Sequence, residues 1–145
     1  MSPASYLLDT NVVSELRRSR PDERVVAWYS SVAAADLYLS VVTVGEIEQG
    51  IRRLATRDPD RAAVLAGWLD ELTRGFADRI LPVTSAVARR WAALNAARTL
   101  PVVDSLIGAT AVEHGAVLVT RNVRDLAGSG VPVLDPFAPA GPPPV

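Results

Sequence analysis

The stretch Tyr6–Ser14, YLLDTNVVS, constrains this chain more than any other. Tyr6, Leu7 and Leu8 form a short apolar run suited to a buried strand, and Val12 to Leu16 start a helical pattern with Ser14 and Glu15 on its polar side. Only Asp9, Thr10 and Asn11 stand between the two. A strand that passes into a helix this directly places its aspartate at the carboxyl edge of a parallel sheet, where open α/β folds bind ligands. Taken alone, Asp9 reads first as a turn residue, with Asn11 capping the helix.

The alternation continues along the chain. A helix is expected from Pro21–Asp22 to about Ala33, a strand over Leu37 to Val42, a helix from Thr43, another from Asp58–Pro59, and a strand over Ile80 to Val83. Thr84 or Ser85 then caps a helix, and one from about Val103 to His114 stops at Gly115. Val117 to Val119 is a strand, Thr120 to Leu126 a turn with a short helix, and Val131 to Leu134 an edge strand. Strands separated by helical segments of this length require parallel crossovers. The expected fold is therefore α/β: a three-layer α/β/α sandwich with a central parallel sheet, as a single domain over residues 1–135. The last ten residues, 136–145, hold five prolines and a glycine and read as a disordered tail.

Composition narrows the chemistry. The 145 residues are 49% hydrophobic and 21% charged, enough apolar material for an ordered core. No apolar run approaches the ~18 residues of a membrane span, and no leader precedes the first strand, so a soluble cytoplasmic protein is expected. Without cysteine there is no thiolate nucleophile or cysteine-ligated zinc, and a metal must be held by oxygen, which favours Mg²⁺ or Mn²⁺. The net charge of −1 excludes a strongly basic protein but not a nucleic-acid substrate, because charge can be segregated on the surface. All fifteen basic residues are arginine, a pattern that genome composition accounts for equally well.

Four acidic positions stand where chemistry is expected. Glu46 follows the second strand as Asp9 follows the first; Thr43-Val44-Gly45-Glu46 is also a T-x-x-E capping box, which gives Glu46 a structural alternative. Asp104 lies in the first turn of its helix, where the dipole favours a carboxylate and a cap is the simpler reading. Asn122 and Asp125 follow the strand Val117 to Val119, or are merely turn residues. Glu48 is set aside, since Arg52 lies four residues on and pairs with it. Carboxylates converging on one crevice repel by roughly 3 kcal/mol per pair at ~5 Å and an effective dielectric near 20. A cation relieves that repulsion, and hard oxygen ligands select Mg²⁺ or Mn²⁺, ions that serve phosphoryl chemistry. Phosphate-loop, dinucleotide-loop and serine-elbow motifs are absent from the sequence. His114, the only histidine, sits at a helix C-terminus and reads as structural.

Four segments, LLDTNVVSEL, SVVTVGEIEQGI, VVDSLIGATAVEHG and LVTRNVRDL, resemble in order and spacing the PIN-domain ribonucleases, in particular the VapC-type toxins of bacterial toxin–antitoxin pairs. The resemblance runs from about Tyr6 to Asp135. It implies an Mg²⁺- or Mn²⁺-dependent endoribonuclease acting on an RNA substrate, in which Asp9 and Asp104 hold metal and Glu46 binds metal or activates water. It also implies a homodimer and a cognate VapB-like antitoxin. Many members carry T-x-D at the fourth position, where this chain has Asn122, with Asp125 three residues later; either residue is a candidate. A DNase on the same fold and a non-catalytic module whose acidic cleft docks an arginine-rich peptide are the alternatives. Trp28, Tyr29 and Trp68, with Val12, Val13, Leu16 and Leu72, are more apolar than helices outside a sheet need. Some of them are expected to line a groove between the early helices and the Pro59–Phe76 helix.

Overall fold

The structure, a computed structural model, describes residues 4–139. Strand β1 (Tyr6–Leu8) leads into α1 (Thr10–Arg17) and α2 (Glu23–Ser31), then β2 (Leu37–Ser40), α3 (Val41–Ala55), α4 (Pro59–Phe76) and β3 (Ile80–Leu81). The second half runs α5 (Ser85–Leu94), α6 (Val102–Glu113), β4 (Val117–Val119) and β5 (Val133–Leu134). The sheet order is β3-β2-β1-β4-β5 and every pairing is parallel, with Tyr6 opposite both Leu37 and Val117. The chain moves outward through β2 and β3, then returns to the other side of β1. The order therefore reverses between β1 and β4, and a crevice opens beyond their carboxyl ends.

Alternation along the strands assigns the two faces. Leu7 and Leu118 pack with Ile107, Ala111 and Leu126, whereas Leu8, Leu37, Leu39 and Val119 pack with Val12, Val25 and Phe76. The three-layer sandwich expected from the sequence is thus the observed one. Gly108 serves close packing, because a Cβ there would stand 3.4 Å from a Val131 methyl. Gly115, at φ 64°, ends the α6 region as expected.

Several boundaries differ from expectation. The second strand stops at Ser40, whose hydroxyl accepts from the Val42 N–H at 3.0 Å and caps α3. Val41 and Val42, which as branched residues suit a strand, therefore form the first turn of a helix. Thr43 is consequently inside α3, and the expected T-x-x-E capping box does not exist. Asp22 caps α2 rather than belonging to it, and α2 ends at Ser31 instead of Ala33. Pro82, which has no N–H to donate, follows β3 at Leu81 and the strand does not reach Val83. Residues 123–128 form turns without a helix. The last strand pairs only from Val133.

The proline-rich end is also corrected in part. Phe137 is buried in the core, its carbonyl accepts from Arg24 Nη1 at 2.8 Å, and the Arg121 guanidinium lies 3.7 Å from its ring centroid. Residues 136–139 therefore belong to the domain; the remainder of the expected tail, 140–145, lies outside the described residues.

Candidate active site

Asp9 is the innermost acid. It follows β1, is 3% exposed, and caps α1, with Oδ1 accepting from the Thr10 N–H at 2.7 Å. Its other oxygen accepts from the hydroxyl of Thr120, which follows β4, at 2.7 Å. The parallel β1–β4 pairing brings these two residues together across the sheet reversal. Thr120 Oγ1 in turn accepts from the Asn122 N–H at 3.0 Å and the Asn11 side-chain amide at 3.4 Å. Asn11 Oδ1 accepts from the Arg121 N–H at 3.2 Å, tying α1 to the loop after β4.

Glu46 comes from the second turn of α3. Its Oε1 accepts from the Thr10 hydroxyl at 2.5 Å, and Thr10 Oγ1 lies 3.1 Å from Thr43 Oγ1. Thr43 is fully buried, so this pair of threonines fixes α3 against the start of α1. Asp104 projects from the first turn of α6. The next residue, Ser105, is buried and accepts from Trp91 Nε1 at 3.0 Å while donating to the Val102 carbonyl, so α5 holds the turn that carries Asp104.

The charges of these acids act on one another. Burial pushes the Asp9 carboxyl above its ordinary 3.8; the hydrogen bonds from Thr120 and Thr10 oppose this, and the charges of Asp104 and Glu46 add to it. Asp104 is also raised, by burial first, then by Glu46 and then by Asp125. Asp9, Glu46, Asp104 and Asp125 therefore act on one another as one electrostatic cluster. Of the two candidates for the fourth position, Asp125 contributes charge to the cluster. Asn122 contributes its backbone N–H to Thr120, and its side chain makes no hydrogen bond among the described residues. His114 is exposed at the C-cap of α6, at the opposite end of the strands from Asp9. Glu48 pairs with Arg52 at 3.7 Å.

The donor set consists of oxygens, and a cluster in which burial and neighbouring charge raise the carboxyls of Asp9 and Asp104 suits a hard divalent cation. As placed, no group of three or more His, Asp or Glu side chains among the described residues closes around a single ion position.

The PIN-domain model matches residues 6–127. This chain belongs to the PIN-domain family. Over 140 residues it is 33% identical to a VapC ribonuclease of Sinorhizobium fredii, covering 92% of this chain and 99% of that protein. Toxin FitB of Neisseria gonorrhoeae is 36% identical over 137 residues, covering 90% and 97%. The crystal structure of FitAcB from Neisseria gonorrhoeae superposes with a TM-score of 0.84 at 36% identity, over 91% of this chain and 98% of that one.

Two threonines of this PIN domain, Thr10 and Thr120, hold the acids although neither stands out in the sequence. Thr10 has the look of a turn residue there and Thr120 that of a strand end. The available signal is positional: Thr120 follows β4 as Asp9 follows β1, so a hydroxyl and a carboxylate share one edge. The expected groove is present as two adjoining clefts that meet at Arg17 and Trp68. One, of about 260 Å³, is lined by Leu8, Leu16, Tyr29 and Leu72 among others; the other, of about 320 Å³, runs past Ile47 and Leu65 to Thr10 and Glu46. Trp28 lines neither cleft; half-buried, it packs against the core, edge-on to Tyr6 at 5.3 Å.

Proposed function

We propose that this PIN domain is a divalent-metal-dependent endoribonuclease, the toxin half of a toxin–antitoxin pair. The observation that carries the reading is the electrostatic coupling of Asp9, Glu46, Asp104 and Asp125 at the sheet reversal, together with relatives that are a VapC ribonuclease and a toxin. Asp9 and Asp104 would hold the metal, with Glu46 and Asp125 contributing, and Mg²⁺ or Mn²⁺ suits these oxygens. When bound, such an ion supplies charge neutralisation and electrophilic assistance at a phosphoryl oxygen.

The chain's own residues do the rest. Thr120 holds Asp9 in one orientation from inside the fold, so this carboxylate does not need to be ordered when substrate arrives. Thr10 occupies Glu46 Oε1, leaving Oε2 to accept a proton from the attacking water. Asp104, on a helix turn pinned through Ser105 to Trp91, closes the opposite side.

The two clefts support a partner helix laid apolar face down over Tyr29, Trp68 and Leu72, with a basic residue reaching the acids at the far end. This partner corresponds to the VapB-like antitoxin, and a guanidinium there would relieve the same repulsion as a cation. The proposal includes assembly as a homodimer, read directly by light scattering.

The deciding experiment compares cleavage of RNA and of DNA with added Mg²⁺ or Mn²⁺, in the wild type and in Asp104→Asn. RNA cleavage that needs the metal and is lost in the variant is expected. Preference for DNA would make the protein a DNase, and absence of any cleavage would leave a binding module. Antitoxin affinity that falls with millimolar Mn²⁺ would support competition for the acids, and unchanged affinity would point to steric blockage.

A further inference from the structure

The arginines near the acidic centre are distributed unevenly. Arg17, Arg57 and Arg61 line the same cleft as Thr10 and Glu46. Arg17, Arg18 and Arg61 also line an adjoining open basin of about 670 Å³ with Asn11, Ser14, Ser19 and a single carboxylate, Glu15, which is paired with Arg18. The ion pairs among the described residues are Arg18–Glu15, Arg52–Glu48 and Arg90–Glu113, so Arg17, Arg57 and Arg61 approach a carboxylate-bearing cleft without a carboxylate partner of their own. Helix stability does not explain all of them. Arg17 in the last turn of α1 suits the dipole, but Arg61 stands in the first turn of α4, where a cation is unfavourable. Arg17 is also fixed in direction, its guanidinium 5.8 Å from the Trp68 ring centroid.

One stripe of α1 connects the two regions. Asn11, Ser14 and Arg18 recur at helical spacing, and Asn11 is bonded to Thr120 at the acidic centre. From Asn11 to Arg18 the axial distance is about 10 Å, far enough to reach phosphates adjoining one held at the acids. Planar guanidinium groups suit such phosphates, and the protein's overall charge of −1 makes this a local concentration of positive charge in a nearly neutral molecule.

We propose that Arg17, Arg57 and Arg61, with Arg18 at the outer end, bind the phosphates of the substrate RNA next to the scissile one, so that the strand lies along the α1–α4 side of the acidic centre. The inference rests on the ribonuclease reading and names the path that reading leaves open. An acidic protein surface is the competing occupant, and the test separates the two.

The full chain is titrated, without added divalent metal, with a short mixed-sequence oligoribonucleotide made non-cleavable by 2′-O-methyl sugars, across a range of NaCl concentrations. The variants are Arg57→Ala, Arg61→Ala and their double, whose side chains are exposed and carry no part of the core. Arg89→Ala, exposed on α5, is the control. The slope of log affinity against log salt should fall by about 0.7 for each single-strand phosphate deprived of its arginine, with Arg89→Ala matching the wild type. With cleavable RNA and metal, KM should rise while kcat is kept.

Slopes equal to the wild type in both single variants and in the double would overturn the proposal. So would variants that keep RNA binding but lose the antitoxin, which would make the surface a protein-docking face. If the wild type cleaves RNA, the ribonuclease reading survives either result. If the wild type neither binds nor cleaves it, both readings fall.

Discussion

The two faces of the sheet are built differently. On one side α6 is buried almost throughout its central turns, with Ser105, Ile107, Gly108, Ala109, Thr110 and Ala111 all inaccessible. On the other, the 18-residue α4 buries only Ala62, Leu69 and Phe76, and clefts remain between it and α1. The closed face offers stability and a rigid mount for Asp104; the open face carries Glu46 and leaves room for a strand or a partner helix. The acidic centre draws on both, so it combines carboxylates that are held firmly with an approach that stays accessible.

The largest effect should come from breaking the centre where the faces meet. Asp104→Asn is expected to abolish RNA cleavage while leaving a folded protein, because it removes one charge from a repelling cluster and deletes no packing. Near-wild-type cleavage at saturating metal, with circular dichroism unchanged, would remove Asp104 from the essential ligands.

A second test takes the faces separately. Ile107→Ala on the closed face should cost about 2–5 kcal/mol in chemical denaturation, through lost burial and the cavity left behind. Leu72→Ala, at the edge of the open cleft, should cost less, about 1–2 kcal/mol, because its side chain is only partly removed from water. It should weaken antitoxin binding instead. Equal costs would show that the open face is as tightly packed as the closed one.

Thr120→Val keeps shape but removes the hydroxyl that donates to Asp9. Leaving that buried oxygen without its partner should cost about 1–3 kcal/mol. Because this bond works against the upward shift of the Asp9 carboxyl, its loss should raise the carboxyl further, which an NMR titration of Asp9 reads. A titration curve identical to the wild type would mean that Thr120 does not control this acid.

The smallest effect is on stability against pH without metal. Asp9 and Asp104 are both raised above 3.8, so the folded state holds their protons more tightly than the unfolded state does. Their protonation supports the fold below the ordinary carboxylate range, and that support is lost as pH rises through the raised folded values. The difference in melting temperature between Asp104→Asn and the wild type should therefore favour the variant at neutral pH and shrink below about pH 4. A difference that is flat across that range would show that charge repulsion is not being relieved.

The features legible in the sequence are those written in neighbouring residues. Leu7-Leu8 followed by Asp9 marks a strand ending in an acid, Asp58-Pro59 marks a helix start, and His114-Gly115 marks a helix end. Each depends on backbone geometry within a few residues. The parallel α/β class follows from the alternation of such segments. The same local rules misplace Val41 and Val42, because two branched residues look alike in a strand and in a helix whose first turn is capped by Ser40.

The tertiary structure alone decided how distant residues meet. Thr120 lies 111 positions from Asp9 and Thr10 lies 36 from Glu46, and no periodicity links either pair. Their contacts depend on strand order, above all on β4 returning beside β1 rather than extending the sheet past β3. Phe137 entered the core for the same reason, since β5 at the sheet edge carries the chain back over Arg24 and Arg121. Sequence by itself determined which acids were available, that Asp9 ends a strand and that Asp104 opens a helix, because those preferences act over one turn of backbone. Which of them share a field, and which hydroxyls hold them, was settled by packing, whose energy depends on surfaces brought together only once the chain has folded.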